Sequence, residues 1–211
     1  MSRIYTIGHS SHPIDRFIEL LSTHGVQAVA DVRSNPSSKR FPQYNRNELK
    51  AALQVRGIQY VFLGRELGAR RREKEAYAGH VARYELIASL PLFREGIERI
   101  RSGNEKMTLA LMCAERDPLQ CHRTILVCRN LPAELRNQVF HILDTGKVEP
   151  HADAETRLVA ESGLNTNQDE LFAGPDQGTA LDRAYRMRGE RIAWQEEGDE
   201  AIHDRLHKEV G

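Results

Sequence analysis

Residues 113–123, Cys-Ala-Glu-Arg-Asp-Pro-Leu-Gln-Cys-His-Arg, crowd two thiols, carboxylates, an imidazole and guanidiniums into one short connection. The apolar run Leu109 to Met112 before it reads as a buried strand, and Thr124 to Arg129 after it reads as helical. A passage from a strand's carboxyl end to a helix's amino end gathers backbone N–H groups and the helix dipole on one rim, which favours anions. Cys121 falls in the expected first helical turn, where the dipole lowers a thiol's pKa, and His122 is its neighbour. A nucleophilic Cys121 is one reading; a packed or capping cysteine is the other.

The spacing from Cys113 to Arg123 is not the Cys, five residues, Arg loop with which phosphatases and rhodanese-like enzymes wrap an oxyanion. Zinc on Cys113, Cys121 and His122 or His9 is not expected either, because seven residues between the thiols exceed the usual two to four between paired ligands. Cys128 reads as core. The more persuasive set is Asp31, Arg33, Glu115 and Arg123, with His9 and Ser10 after the first strand. One carboxylate would act as base while the arginines and Ser10 hold a phosphate, with His9 or His122 carrying protons. The competing reading of the four charges is an ion-pair network that fixes the loops.

These residues need elements to position them. Ile4 to Ile7 reads as a strand ending at Gly8, and Pro13 opens a helix whose Ile14, Phe17, Ile18 and Leu21 recur at helical spacing up to Gly25. Val26 to Val32 reads as a strand buried on both faces. Residues 34–46 carry two prolines and no acid and read as a binding loop or lid. A helix from Asn47 to Gly57 and a strand at Ile58 to Phe62 repeat the pattern. Leu63 to Lys74 reads as a second basic loop, Ala78 to Ser89 and Pro91 to Gly103 as helices, Gln138 to Leu143 as the last long strand, and Lys147 to His151 as its hairpin partner after the Asp144-Thr145-Gly146 turn. Repeated strand-helix-strand steps imply a doubly wound, Rossmann-like, mostly parallel α/β sheet, with the loops at the strands' carboxyl ends converging on one crevice.

Residues 144–211 hold 16 Asp plus Glu against 8 Lys plus Arg in a chain of zero net charge, so a basic body carries an acidic tail. The expected division is an α/β core over 1–151 and a helical, acidic extension over 152–211, with a linker near 164–178. Within it Gln168, Leu171 and Phe172 resemble the Gln-x-x-Leu-Phe peptides by which bacterial DNA-processing proteins dock on the sliding clamp; the competing reading packs Leu171 and Phe172 onto the core. Apolar runs only a few residues long predict no membrane span, and an N-terminus that enters strand pattern directly predicts no signal peptide. With an odd number of cysteines, the expectation is a cytoplasmic protein with reduced thiols.

Thr6-Ile7-Gly8-His9-Ser10, Asp31-Val32-Arg33 with Pro36 and Ser37, Tyr60 with Leu67-Gly68, and Cys113-Ala114-Glu115 followed by Cys121-His122-Arg123 resemble the domain-of-unknown-function family numbered 488 over most of residues 4–143. The resemblance implies an α/β fold with these positions clustered and brings no settled activity. No Gly-x-Gly-x-x-Gly or Walker motif is present, so no cofactor is expected. The residues themselves suggest a hydrolase or group transferase acting on a nucleotide or nucleic acid. Two alternatives stand beside it: a non-catalytic nucleic-acid-binding module using basic loops 33–46 and 65–74, and a thiol or sulfur-transfer protein using Cys121.

Overall fold

The structure, a computed structural model, describes residues 3–164 and 178–195. Strand β1 (Ile4–Gly8) leads through helix α1 (Ile14–Thr23) to β2 (Ala28–Asp31), and α2 (Arg46–Val55) leads on to β3 (Gln59–Phe62). There follow the short helix α3 (Gly64–Leu67), a small hairpin of β4 (Tyr77–Ala78) and β5 (Val81–Ala82), helices α4 (Tyr84–Ser89) and α5 (Pro91–Asn104), and β6 (Leu109–Cys113). A π-helical turn at Arg123–Val127, α6 (Ala133–Arg136), β7 (Val139–Ile142), β8 (Val148–Pro150), α7 (His151–Glu161) and α8 (Ala180–Ile192) complete the described chain.

The six-stranded sheet has the order β3-β2-β6-β1-β7-β8, parallel except for β8, which returns antiparallel beside β7. This is the doubly wound α/β fold. Because β6 inserts between β1 and β2, their carboxyl ends come level: Gly8 is paired with Cys113, and Asp31 with Met112. Alternate residues of each strand face opposite sides. Tyr5, Ile7, Val29, Ala110 and Met112 meet α1 and α2 on one face, and Ile4, Ala28, Ala30, Leu109 and Leu111 meet α5, α7 and α8 on the other. Each fully buried Phe or Leu here, such as Phe17, Leu21 or Phe93, contributes about 2 kcal/mol by leaving water.

Two expectations are corrected. The stretch 78–89 is not one helix. Gly79 takes φ +62 and turns the chain into the β4-β5 hairpin, so the helix begins only at Tyr84. Likewise Leu63 to Lys74 is not all loop, since Gly64–Leu67 closes a helical turn against α5. The described part of the acidic extension packs on the sheet: Ala154, Leu158, Ala184 and Tyr185 lie in the same apolar cluster as Ile4 and Leu109. Gln168, Leu171 and Phe172 lie outside the described residues.

A buried polar line stitches these elements together. Arg123 Nε donates to Thr6 Oγ1 at 3.4 Å, Thr6 Oγ1 lies 2.7 Å from His141 Nδ1, and His141 Nε2 lies 3.0 Å from His151 Nδ1. His151 Nε2 is 3.3 Å from the Tyr185 hydroxyl, which donates to Glu155 at 2.9 Å. Every donor finds an acceptor when both imidazoles are neutral with the proton on Nε2. Burial lowers the pKa of both histidines, with the neighbouring imidazole and Arg123 adding to it at His141. The unfolded chain therefore takes up protons that the native protein refuses, so stability falls as the pH drops below about 6.5, by up to about 1.4 kcal/mol per proton per pH unit. Melting temperature should decline between pH 7.5 and 5, and more gently in His151→Gln; a flat profile for the native protein would show that the pair titrates normally.

Candidate functional site

Three strand ends build a crevice along the carboxyl edge of the sheet. β1 runs on alongside the chain leaving β6, with His9 N donating to Cys113 O and Ser10 N to Ala114 O, both at 2.8 Å. That seam requires glycine at position 8, because a Cβ there would sit 1.8 Å from the Glu115 carbonyl oxygen. Ser10 adopts φ +48, a left-handed conformation uncommon for a residue with a side chain, and such strain concentrates at functional sites.

At the end of β2, Asp31 is wholly buried and Arg33 nearly so. Arg33 Nε and Nη2 hold the two carboxylate oxygens at 2.9 and 2.7 Å, Tyr60 adds a hydrogen bond to Asp31 at 2.8 Å, and Arg33 Nη2 also reaches the Tyr44 carbonyl. Arg33 Nη1 lies 3.3 Å from His9 Nε2, and the His9 ring stacks on Tyr44 with centroids 4.1 Å apart. Burial and the Arg33 charge lower the pKa of His9 to about 4, so the ring stays neutral. Asp31, Arg33 and His9 thus form one network that pins the loop 34–46 to the sheet, with Arg33 exposing one edge to the crevice.

The loop after β6 folds back so that both of its ends meet. Cys113 Sγ is 3.7 Å from His122 Nδ1, Cys121 Sγ is 4.0 Å from the same atom, and the Cys121 thiol donates to Glu115 Oε2 at 2.9 Å. His122 Nε2 lies 2.9 Å from the Val32 carbonyl. Arg123 is fully buried, and its nitrogens donate to the carbonyls of Glu115 and Arg116 and to Thr6 Oγ1. Arg123 therefore braces the loop from below and offers nothing to a ligand from the solvent side. Burial raises Cys113, whereas at Cys121 burial is outweighed by the Cys113 hydrogen bond and the Arg123 charge, so Cys121 is the more acidic of the pair. Glu115 is exposed as a residue, yet the desolvation of its carboxylate against Cys121, and the charge there, raise its pKa.

Cys113, Glu115 and His122 line a cavity of about 310 Å³ with Arg33, Arg70 and Tyr84. A second cavity of about 410 Å³ adjoins it, sharing Arg33, Asn35, Ser37 and Ala114, and reaches His9, Ser10 and Arg40. Of the residues singled out in the sequence, His9, Ser10, Arg33, Cys113, Glu115 and His122 meet this crevice, and Asp31, Cys121 and Arg123 stand behind it. The sequence reading missed Tyr84 and Trp194. Trp194 closes the far wall just beyond α8, with the Arg70 guanidinium 3.6 Å over its ring. The capping box at Thr179 and Asp182, which starts α8, was the available sign of a firmly seated helix there.

Removing the carboxylate charge in Asp31→Asn should destabilise the protein by about 3 to 5 kcal/mol in denaturant unfolding, since it leaves Arg33 buried without its counter-charge. Tyr60→Phe should cost about 1 kcal/mol. A small loss in Asp31→Asn would mean that Arg33 is solvated and free to hold a ligand.

Comparison with known proteins bears on the region just described. No curated protein and no solved structure matches the chain. The family model described as domain of unknown function DUF488 matches residues 13–129, which hold β2, the Asp31 and Arg33 network and the whole Cys113 to Arg123 loop. With more than half of the sequence matched, the chain belongs to the DUF488 family.

Proposed function

We propose that the protein is an enzyme that hydrolyses, or transfers a group on, a phosphate-bearing substrate such as a nucleotide or nucleic acid. The observation that carries this reading is the pair of adjoining cavities over the strand ends, lined largely by polar side chains that include Glu115, His122, Arg33, Arg40 and Arg70. Arg33 is largely spent on Asp31, so the anion contact shifts to Arg70, assisted by Arg40 and by the hydroxyls of Ser10, Ser34 and Ser37. A guanidinium stacked on an indole keeps its N–H edge for an oxyanion. Tyr84 and Trp194 supply apolar surface suited to a base or sugar.

Glu115 is the proton carrier of this proposal. Its carboxylate lines the cavity and is exposed enough to exchange protons with water, which a general base needs. The Asp31 carboxylate is sealed away from it by Arg33 and Tyr60. Cys121 is 1% exposed and behind Cys113, an arrangement that disfavours attack by that thiol on an external substrate.

Screening nucleotides, oligonucleotides and phosphomonoesters for turnover tests the proposal. Glu115→Gln should lower kcat by roughly 100-fold or more while leaving the melting temperature unchanged or higher, because Arg123 bonds the Glu115 main-chain carbonyl and not its side chain. Arg70→Ala should raise KM with kcat nearly kept and, for a nucleic acid, reduce the salt dependence of binding by about one charge. Binding that survives with no turnover of any substrate, unaffected by Glu115→Gln, would favour the non-catalytic nucleic-acid module instead.

A further inference from the structure

The sequence spacing of Cys113 and Cys121 argues against a shared metal ion, but the fold cancels that argument by bending residues 114–120 back on themselves. The Cys113 and Cys121 sulfurs and a His122 nitrogen all lie within 4.8 Å of one another, the two sulfurs standing 3.7 and 4.0 Å from His122 Nδ1. Ligand atoms around a tetrahedral zinc, with Zn–S near 2.3 Å and Zn–N near 2.0 Å, are separated by roughly 3.5 to 3.8 Å. The two sulfur–nitrogen separations thus exceed those of a tetrahedral site by only a few tenths of an ångström, and all three donors are close enough to share one ion.

Their orientation fits as well. His122 Nε2 lies 2.9 Å from the Val32 carbonyl oxygen, which can only accept, so the proton sits on Nε2 and the Nδ1 lone pair points at the sulfurs. Ligating histidines are held in this way, by a carbonyl or carboxylate on the far nitrogen. The Arg123 backbone N–H donates to Cys121 Sγ at 3.4 Å. Charge points the same way: the Arg123 guanidinium is wholly buried against neutral acceptors. With the metal in place of the proton that Cys121 gives to Glu115, two thiolates and the Glu115 carboxylate, set against a divalent cation and Arg123, sum to zero, which relieves a buried cation of its isolation.

We infer that Cys113, Cys121 and His122 form a three-ligand site for a thiophilic divalent cation, zinc by class, whose fourth position opens on the cavity lined by Cys113 and His122. Three protein ligands and one open position are the arrangement of catalytic rather than structural zinc. Only the role of that fourth position rests on the proposed enzymatic function: a bound water there would lose its proton to Glu115. The site itself rests on the donor geometry.

The test uses the full chain, reduced, stripped with a chelator and titrated with Co²⁺ in the absence of air. One equivalent should bind with the intense visible bands and near-ultraviolet thiolate charge transfer of a tetrahedral sulfur site, and Zn²⁺ should displace it. Cys113→Ser and His122→Ala should each weaken binding by more than roughly 100-fold, beyond the loss expected for a merely supporting partner. Cys128→Ala and Glu115→Gln should keep the spectrum. A folded, reduced native protein that takes up no cobalt, or takes it up with a weak octahedral spectrum, overturns the inference without recourse to any variant. So does a tetrahedral spectrum that survives Cys113→Ser, or a Cys113–Cys121 disulfide formed in air by a protein that binds no metal when reduced. Because the readout is spectroscopic, a failed search for turnover leaves this result standing, and a protein that binds no cobalt yet shows Glu115-dependent turnover would sink the site alone.

Discussion

The guanidinium of Arg123 is fully buried, and the shape of the loop above it follows from how that charge is accommodated. A buried arginine must place all its N–H groups. Here the carbonyls of Glu115 and Arg116 turn inward to receive two of them, and Thr6 receives a third from the neighbouring strand. That inward turn lifts the Glu115 side chain outward to the cavity and brings Cys121 back against Cys113. The π-helical turn at Arg123–Val127 begins at the same residue, and its wider winding is a rare departure frequent at functional sites.

Periodicity in the sequence was sufficient for the parallel sheet and for the edge on which the candidate residues gather. Helical spacing in Phe17, Ile18 and Leu21 and unbroken apolar strands such as Ala28 to Ala30 report two covered faces without any long-range information. Strand order was not legible in that way. That β6 slips between β1 and β2 depends on which apolar surfaces match after collapse, and no local pattern encodes it. The same limit hid the meeting of Cys113 and Cys121: ligand-spacing rules describe tight loops, whereas this loop closes because its ends are held by the sheet and by Arg123.

The arginines show where residue type alone misleads. Arg33 and Arg123 sit beside the right loops to bind a phosphate, yet burial commits one to Asp31 and the other to main-chain carbonyls. Arg70, in a stretch that reads only as a basic loop, is exposed, stacked on an indole from a distant part of the chain. Burial, not charge, separates the committed arginines from the exposed one here, and burial is a property of the packed chain.

The acidic extension consequently belongs to the crevice and is more than an appendage. Arg188 on α8 reaches the Leu119 carbonyl in the loop after β6 and pairs with Glu161 on α7, while Ala82 N donates to the Trp194 carbonyl. The far wall of the cavity, Ile192 to Trp194, is therefore positioned by contacts with the same loop that carries Glu115 and Cys121. A shift of that loop is felt at the wall through contacts that include Arg188, and seating α8 in turn favours one arrangement of the loop. Such reciprocity is what linkage between two packed elements requires. It makes α8 part of the architecture that walls the crevice.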